Sequence, residues 1–258
     1  MDEKELPVSL SVKDVEIAYR VVKPLRLSSL IKNALKSTPK QKKFHAVKGI
    51  SFEVKRGEIV GLIGKNGSGK STLLRAIANI YSPDKGSIDT YGNTVGLMAI
   101  GVGFQNLLSG RENIYLSGML MGFNKKQIQE KEQEIIDFSE LGSFIDEPVA
   151  SYSSGMHSKL AFSITAIMET DIVLVDETLS VGDIAFKQKS LAKMKELIRR
   201  DDKTVLIVSH SIPTLLELCH RVIWMHDGVM KMDGDPQEVL DRYCEFMNAN
   251  TPKTEAPH

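Results

Sequence analysis

Gly57-Glu-Ile-Val-Gly-Leu-Ile-Gly-Lys-Asn-Gly-Ser-Gly-Lys-Ser-Thr72 is the stretch from which the fold of this chain can be read. Residues 59–63 form a short apolar run of the kind a parallel sheet buries on both faces. Gly64-Lys65-Asn66-Gly67-Ser68-Gly69-Lys70-Ser71 then fits the pattern G-x-x-x-x-G-K-[ST] in full, and Thr72 and the residues to Ala78 continue with helical periodicity. The residue types have a chemical reason. Glycines at 64, 67 and 69 let successive backbone N–H groups turn inward around phosphate oxygens, at the positive end of the following helix. Lys70 can reach the β- and γ-phosphates, and the Ser71 hydroxyl can ligate Mg²⁺. The bland alternative is a glycine-rich loop that merely turns a strand into a helix. A full match in strand–loop–helix context favours a nucleoside triphosphate.

The chain has 258 residues, enough for one large α/β domain or a domain with a sizeable insertion. Hydrophobic residues make up 42%, which supports a proper core, and 26% are charged. The formal net charge is zero, so nothing global points to nucleic acid, and no such partner is expected. Cys219 and Cys244 have no motif spacing and read as reduced, structural thiols of a cytoplasmic protein. The charged start Met1-Asp-Glu-Lys-Glu-Leu-Pro lacks the apolar segment of a signal peptide. No run of about 18 apolar residues is present, so the chain is not expected to cross a membrane by itself.

Upstream of the loop, residues 8–19 alternate apolar and polar and read as a strand with one buried face. From Arg20 to Lys48 the sequence then holds nine Lys or Arg and no acid. Inside this arm Leu27, Leu30, Ile31, Ala34 and Leu35 recur at helical spacing. That pattern fits a basic amphipathic helix lying on an anionic membrane or a partner, or else an ordinary surface loop with a half-buried helix. Residues 45–54 resume strand character. Downstream, Ser82-Pro83-Asp84-Lys85-Gly86 is a turn signal, and residues 87–98 look like one strand. Residues 101–168 read as mostly helical, with Asn124 and Gln127 in a capping-box arrangement and Gly142 closing that helix. Residues 170–175 and 203–208 are two further buried strands. A hairpin is expected around Asp227-Gly228, with Trp224 in its core. Asp235-Pro236-Gln237-Glu238 opens a last helix, and the tail over 249–258 is expected to be disordered.

Three buried strands thus end in Lys70-Ser71, Asp176-Glu177 and Ser209-His210, and the carboxyl ends of a parallel sheet line one crevice. Asp176 suits Mg²⁺, Glu177 could polarise an attacking water, and His210 could hydrogen-bond a γ-phosphate. Taken singly, the acidic pair could cap a helix and the histidine could be structural. Their order relative to the loop favours the joint reading.

Ser151-Tyr-Ser-Ser-Gly-Met-His-Ser-Lys-Leu-Ala-Phe162, shortly before Asp176, strongly resembles the ATP-binding-cassette family. Ser153-Ser154-Gly155 matches the core of that family's signature motif, though Ser154 stands where glycine is usual and Met156 where glutamine is usual. The resemblance covers roughly residues 8–245. It implies an α/β phosphate-loop NTPase fold: a RecA-like core with a parallel sheet, an antiparallel β-subdomain and an inserted helical subdomain at about 103–168. A single domain would then span 1–248, with the basic insertion at 20–45. The implied nucleotide-binding set is Gly64, Lys65, Asn66, Gly67, Ser68, Gly69, Lys70, Ser71 and Thr72, with Ser153, Ser154, Gly155 and Asp183 serving a paired site. Mg²⁺ falls to Ser71, Asp176 and Gln105. Gln105 is the candidate for the family's loop glutamine and stands closer to Glu112-Asn113 than is usual. Glu177 and His210 are the implied catalytic pair. The ring on adenine is assigned to Phe44, with Tyr19 and His45 as alternatives.

The resemblance further implies an ATPase that works as a head-to-tail dimer of two copies, with ATP and Mg²⁺, on a membrane-embedded permease dimer. Gly101-Val-Gly-Phe-Gln-Asn-Leu-Leu-Ser-Gly-Arg-Glu-Asn113 and Leu179-Ser-Val-Gly-Asp183 look like the exporters of bacterial cell-surface polymers, and within that branch Met98-Ala-Ile100, Met119-Leu-Met-Gly122, Ser209-His-Ser211 and Trp224-Met-His226 look most like the teichoic-acid exporters. That branch implies a lipid-linked polymer substrate and a peripheral place on the cytoplasmic face of the bacterial membrane. There each Lys or Arg of the basic arm near an anionic surface is worth about 1 kcal/mol. O-antigen or capsular polysaccharide is the alternative cargo, and a soluble, non-transport cassette ATPase is the alternative class.

Overall fold

The computed structural model of the chain describes residues 6–20, 43–98, 103–176, 183–198, 200 and 202–249. The basic stretch 21–42, Glu177 and the tail from 250 lie outside the described residues.

Strand β1 (Val8–Arg20) pairs antiparallel with β2 (Lys43–Lys55) and, on its other edge, with β4 (Lys85–Asp89). Alternation drives the burial of one face, but the parity changes partway: Leu10 and Val12 point inward, then Val15 and Ile17. A one-residue slip would turn the second pair outward, so the ladder needs an irregularity between them. It has one at Asp14, whose φ is 48° and whose N–H donates to Ser51 Oγ at 2.8 Å.

Strand β3 (Ile59–Ile63) lies inside a six-stranded sheet of order β5-β6-β7-β3-β8-β9. Its neighbours β7 (Thr204–Val208) and β8 (Arg221–His226) run parallel to it, as do β6 (Ile172–Val175) and β5 (Val95–Met98) farther out. Every residue of β3, β6 and β7 is buried, as their unbroken apolar runs require. Only β9 (Val229–Gly234) is antiparallel, joined to β8 through Asp227 and Gly228, both at positive φ as the two-residue turn demands.

Helix α1 (Lys70–Ile77) follows the phosphate loop. It packs with the inner face of the antiparallel sheet and one face of the six-stranded sheet into a single apolar cluster that includes Leu10, Val47, Leu73, Leu74, Leu206 and Ile223. The inserted helices are α2 (Gly110–Leu120), α3 (Lys125–Ser139) and α4 (Ser154–Met168). Helix α4 buries nine consecutive residues, Leu160 to Met168. A helix apolar all round needs cover on every side. Leu160, Ile164 and Ile167 join the helical insert, whereas Phe162 and Ala166 join the second face of the six-stranded sheet. That second face is completed by α5 (Ile184–Ile198), α6 (Ile212–Leu218) and α7 (Pro236–Ala249).

The architecture is the phosphate-loop arrangement that the resemblance implies, and two local expectations need correction. Residues 87–98 are not one strand: β4 and β5 belong to different sheets, separated by a turn in which Tyr91 (φ 51°) and Gly92 (φ 78°) reverse the chain. The Asp89 carboxylate, accepting the Tyr91 N–H at 2.7 Å, sets that turn. Nor does Gly142 close α3. That helix ends at Ser139 with Glu140 left-handed at φ 58°, and Gly142 opens a short 3₁₀ turn. The capping box of Asn124 and Gln127 is present, and Trp224 is buried against Tyr243 and Phe246 of α7.

Candidate active site

The phosphate loop leaves β3 and must bend sharply before α1, and the bend is enforced by close contacts. A Cβ on Gly64 (φ 154°) would lie 2.1 Å from the Met225 carbonyl oxygen, and one on Gly69 (φ 102°) 2.3 Å from that of Ala46. The loop is therefore wedged between β8 and β2, and only residues without a side chain fit there. The β8–β9 turn backs it up: Gly228 N–H donates to the Ser68 carbonyl at 3.2 Å, while Lys48 N–H donates to the Gly228 carbonyl at 2.8 Å.

Lys70, the first residue of α1, is almost fully buried. Its ammonium donates to the Gly64 and Lys65 carbonyls at 2.6 and 3.0 Å, which holds the cation in the centre of the loop. Helix α1 has no side-chain cap, so its first N–H groups face the loop. Across the mouth, Ser71 Oγ donates to Asp176 Oδ1 at 3.4 Å, and Asp176 is buried at the end of β6. These two oxygens fit Mg²⁺, which is usually held by one or two carboxylates together with substrate phosphates.

A cavity of about 410 Å³ opens over the loop. Residues 66–72, Asp176, Val208 and His210 line it from the six-stranded sheet, and Tyr19, Phe44 and Ala46 line it from the antiparallel one. Tyr19 and Phe44 face each other across the β1–β2 ladder, and the Tyr19 hydroxyl donates to Thr72 Oγ1 at 3.2 Å. Phe44 is half exposed at this rim, and His210 is exposed. Gly64 and Lys65, both expected in the site, do not line the cavity, and the Lys65 ammonium lies 6.0 Å from the Phe246 ring centre. Ala46 and Val208 were not legible as site residues: one contributes a backbone carbonyl and the other a strand terminus, and neither carries a motif.

Ser153, Ser154 and Gly155 do not line this cavity. They start α4 in the helical insert, where the Ser153 hydroxyl accepts the Met156 N–H at 3.2 Å. Asp183 lies at the start of α5, accepting the Phe186 N–H at 2.9 Å and pairing with Lys159 at 2.7 Å. Hydrogen bonding from Lys159, then from backbone N–H groups, holds its carboxyl at about 2. Gln105 is exposed and outside the cavity. Its backbone N–H donates to Asn113 Oδ1 at 2.8 Å, so Asn113 shapes the loop that carries it. The preceding Phe104 packs on His157 of α4 with ring centres 4.8 Å apart, and burial lowers the His157 pKa.

A loop that cradles phosphates, a buried lysine, a paired hydroxyl and carboxylate, and a sheet whose strands end at one crevice define a phosphate-loop ATPase. The ABC transporter family profile matches residues 47–180. The chain is 42% identical over 208 residues to the O-antigen export system ATP-binding protein RfbB of Klebsiella pneumoniae, covering 81% of this chain and 84% of that protein. It is 48% identical to the teichoic acids export ATP-binding protein TagH of Lactococcus lactis over 80% of this chain, but spans only 44% of that protein. Against TagH of Staphylococcus haemolyticus it is 40% identical, covering 97% of this chain and 94% of the relative. The dimeric ATP-binding cassette MJ0796 bound to ADP and Pi shares the fold, with a TM-score of 0.65 over 88% of this chain and 98% of that one at 21% identity. This chain belongs to the ABC transporter family.

Proposed function

We propose that this chain is the ATP-hydrolysing subunit of an exporter that moves lipid-linked wall teichoic acid across the cytoplasmic membrane. The observation that carries the reading is a division of the site. Lys70, Ser71, Asp176 and His210 converge on one cavity, while the start of α4 at Ser153–Gly155 lies elsewhere on the same chain. A second copy, head to tail, would bring its own Ser153, Ser154 and Gly155 over the γ-phosphate, where a helix N-terminus favours negative charge.

In that complex Lys70 holds the β- and γ-phosphates and the aromatic rim receives the base. Ser71 and Asp176, with Gln105 from its loop, would hold Mg²⁺, which would supply positive charge against that carried by the β- and γ-phosphates. Glu177 takes a proton from water as the water oxygen bonds to the γ-phosphorus and the bond to the β–γ bridging oxygen breaks. His210 steadies the γ-phosphate from the end of β7. Replacing Glu177 by Gln is expected to preserve ATP binding and dimerisation while slowing hydrolysis by roughly 10²–10⁴-fold. Unchanged turnover removes Glu177 from that role.

Among the described residues no helix is long and apolar enough to cross a membrane, so a permease would supply the path. A groove of about 370 Å³ between the end of α1, the β4–β5 turn and the end of α2 is the face proposed for it, with Leu120 exposed beside it. Teichoic acid is preferred because the staphylococcal relative aligns along nearly the whole of both chains. O-antigen is the second reading, supported by the RfbB relative. Depleting the protein in its source bacterium and assaying wall-linked phosphate decides between them. Lost wall phosphate with polymer trapped inside supports teichoic acid. Normal wall phosphate with another glycan trapped keeps an exporter and changes its cargo.

A further inference from the structure

Four charges of alternating sign connect the helical insert to the catalytic core. Asp183 Oδ2 lies 2.7 Å from Lys159 Nζ, and Lys159 Nζ donates to Glu140 Oε2 at 3.3 Å. Glu140 Oε1 then accepts from Lys189 Nζ at 2.9 Å, and Lys189 also donates to the Phe138 carbonyl at 3.0 Å. The four side chains come from the start of α5, the middle of α4, the left-handed residue after α3 and the body of α5. Beneath them lie aromatic faces: Lys159 sits 5.0 Å from the Phe186 ring centre and Lys189 4.4 Å from that of Phe138. The Lys159 side chain is only 15% exposed, whereas Asp183 is 60% exposed.

Isolated surface ion pairs contribute little to stability, typically about 0–1 kcal/mol. A shared, partly buried lysine over an aromatic ring does something else: it fixes geometry. Asp183 is held twice, by Lys159 through one oxygen and by the Phe186 N–H through the other, so it cannot shift relative to α4 without losing a bond. Lys159 stands six residues after Ser153 on the same rigid helix, about 9 Å along its axis.

We propose that Lys159 is a positioning residue that locks Asp183 to the helix carrying Ser153, Ser154 and Gly155, so that both elements offered to the second copy of the chain move as one body. The inference rests on the two-copy reading above and adds a residue to it. Lys159 touches neither the phosphate loop nor the cavity over it, so its loss acts on the union of the two copies and leaves nucleotide binding by one copy alone.

The test is ATPase activity of the full chain as a function of protein concentration, beside binding of a fluorescent ATP analogue at high dilution. Lys159→Met is expected to raise the concentration for half-maximal activity about tenfold, the size of a lost coupling between contacting groups. Analogue affinity should stay within about twofold, since the loop's own contacts are untouched. Lys159→Arg should recover most of the activity, because a guanidinium can bridge two carboxylates. Asp183→Asn should cost less in the Lys159→Met background than in the native chain. An unchanged concentration dependence in Lys159→Met overturns the proposal, as does a parallel loss of analogue affinity or an additive double variant. A native chain whose specific activity does not depend on concentration would instead remove the two-copy reading itself, and this inference with it.

Discussion

Gly69 is one of two loop residues, with Gly64, whose absent side chain makes room for a neighbouring backbone carbonyl, and comparison with Gly67 separates two kinds of glycine. Both have positive φ, 102° and 82°, but a Cβ on Gly69 meets the Ala46 carbonyl oxygen at 2.3 Å, while one on Gly67 meets nothing within 4 Å. Gly67→Ala therefore bears only the left-handed backbone cost, about 1–2 kcal/mol. Gly69→Ala bears that and must also push the loop off β2. Calorimetric ATP titration should find Gly67→Ala weakened by roughly tenfold and Gly69→Ala without measurable binding, the tenfold figure being what about 1.4 kcal/mol means in affinity. Equal losses would mean that the contact with Ala46 is not what shapes the loop. At Asp183 the matter is charge. Its carboxyl, held at about 2 by Lys159 against an ordinary 3.8, contributes stability that is present above 3.8 and is lost as pH falls toward 2. The facing groups, Lys159, Glu140 and Lys189, leave Glu140 also lowered, chiefly by Lys189, so both carboxylates act in the same direction. Asp183→Asn should flatten the acid limb of a stability-versus-pH curve below about pH 4, measured by chemical denaturation; an unchanged limb would show that the pair does not form in solution.

At the scale of the element, α4 begins with a residue that has two duties, and substitution can separate them. The Ser153 hydroxyl accepts the Met156 N–H and so caps the helix, and the proposed dimer also gives it a γ-phosphate. Alanine at an N-cap costs about 1 kcal/mol, glycine only a few tenths. Ser153→Gly should thus unfold near the native temperature while losing most ATPase activity, whereas Ser153→Ala should lose both; a Ser153→Gly variant with native activity would leave the hydroxyl only its structural task. Much at this scale was legible beforehand. The buried strands β3, β6 and β7 announced themselves because a parallel sheet needs unbroken apolar runs, and the β8–β9 turn because Asp227-Gly228 suits positive φ. What was not legible depends mainly on tertiary partners. Residues 87–98 read as one strand-like stretch, and the Asp89–Tyr91 turn shows where the chain changes sheet, at a Gly92-Asn93 pair whose turn signal the strand reading overlooks. Gly142 looked like the stop for α3 because glycine tolerates the left-handed region so easily, yet Glu140 takes that conformation and is held there by two lysines. In the site, the loop, Asp176 and His210 carry motif signals. Lys159 sits in a sequence that reads as plain helix, and its partners lie 19 and 24 residues away in the chain.

For the whole molecule, the nucleotide cavity is where two sheets meet. One side is the six-stranded sheet with Lys70, Ser71, Asp176 and His210; the other is the antiparallel sheet, which contributes Tyr19, Phe44 and Ala46. The sheets share an apolar cluster, and Arg221 ties them at the surface by donating to the Glu53 carbonyl of β2 while pairing with Glu58 at 3.1 Å and Asp233 at 3.3 Å. A ligand gripped by both sides, and so bound only by the folded chain, stabilises it by about 2.7 kcal/mol at a concentration one hundred times Kd. For a chain of this size that is a rise in Tm of about 5–10 °C. The two sheets are expected to read different parts of the ligand, so their contributions can be pulled apart with ATP and inorganic triphosphate. Lys70→Ala should abolish the shift with either. Phe44→Ala should reduce the shift with ATP, since a ring stacked on a base is worth about 1–3 kcal/mol and this one is half exposed, at the low end of that range. It should leave the triphosphate shift as in the native chain, because nothing in Phe44 recognises phosphate. If Phe44→Ala weakens both ligands equally, the antiparallel sheet acts by propping the loop through Ala46 rather than by holding the base. If it weakens neither, the stacking ring is Tyr19, whose hydroxyl already reaches Thr72 at the start of α1.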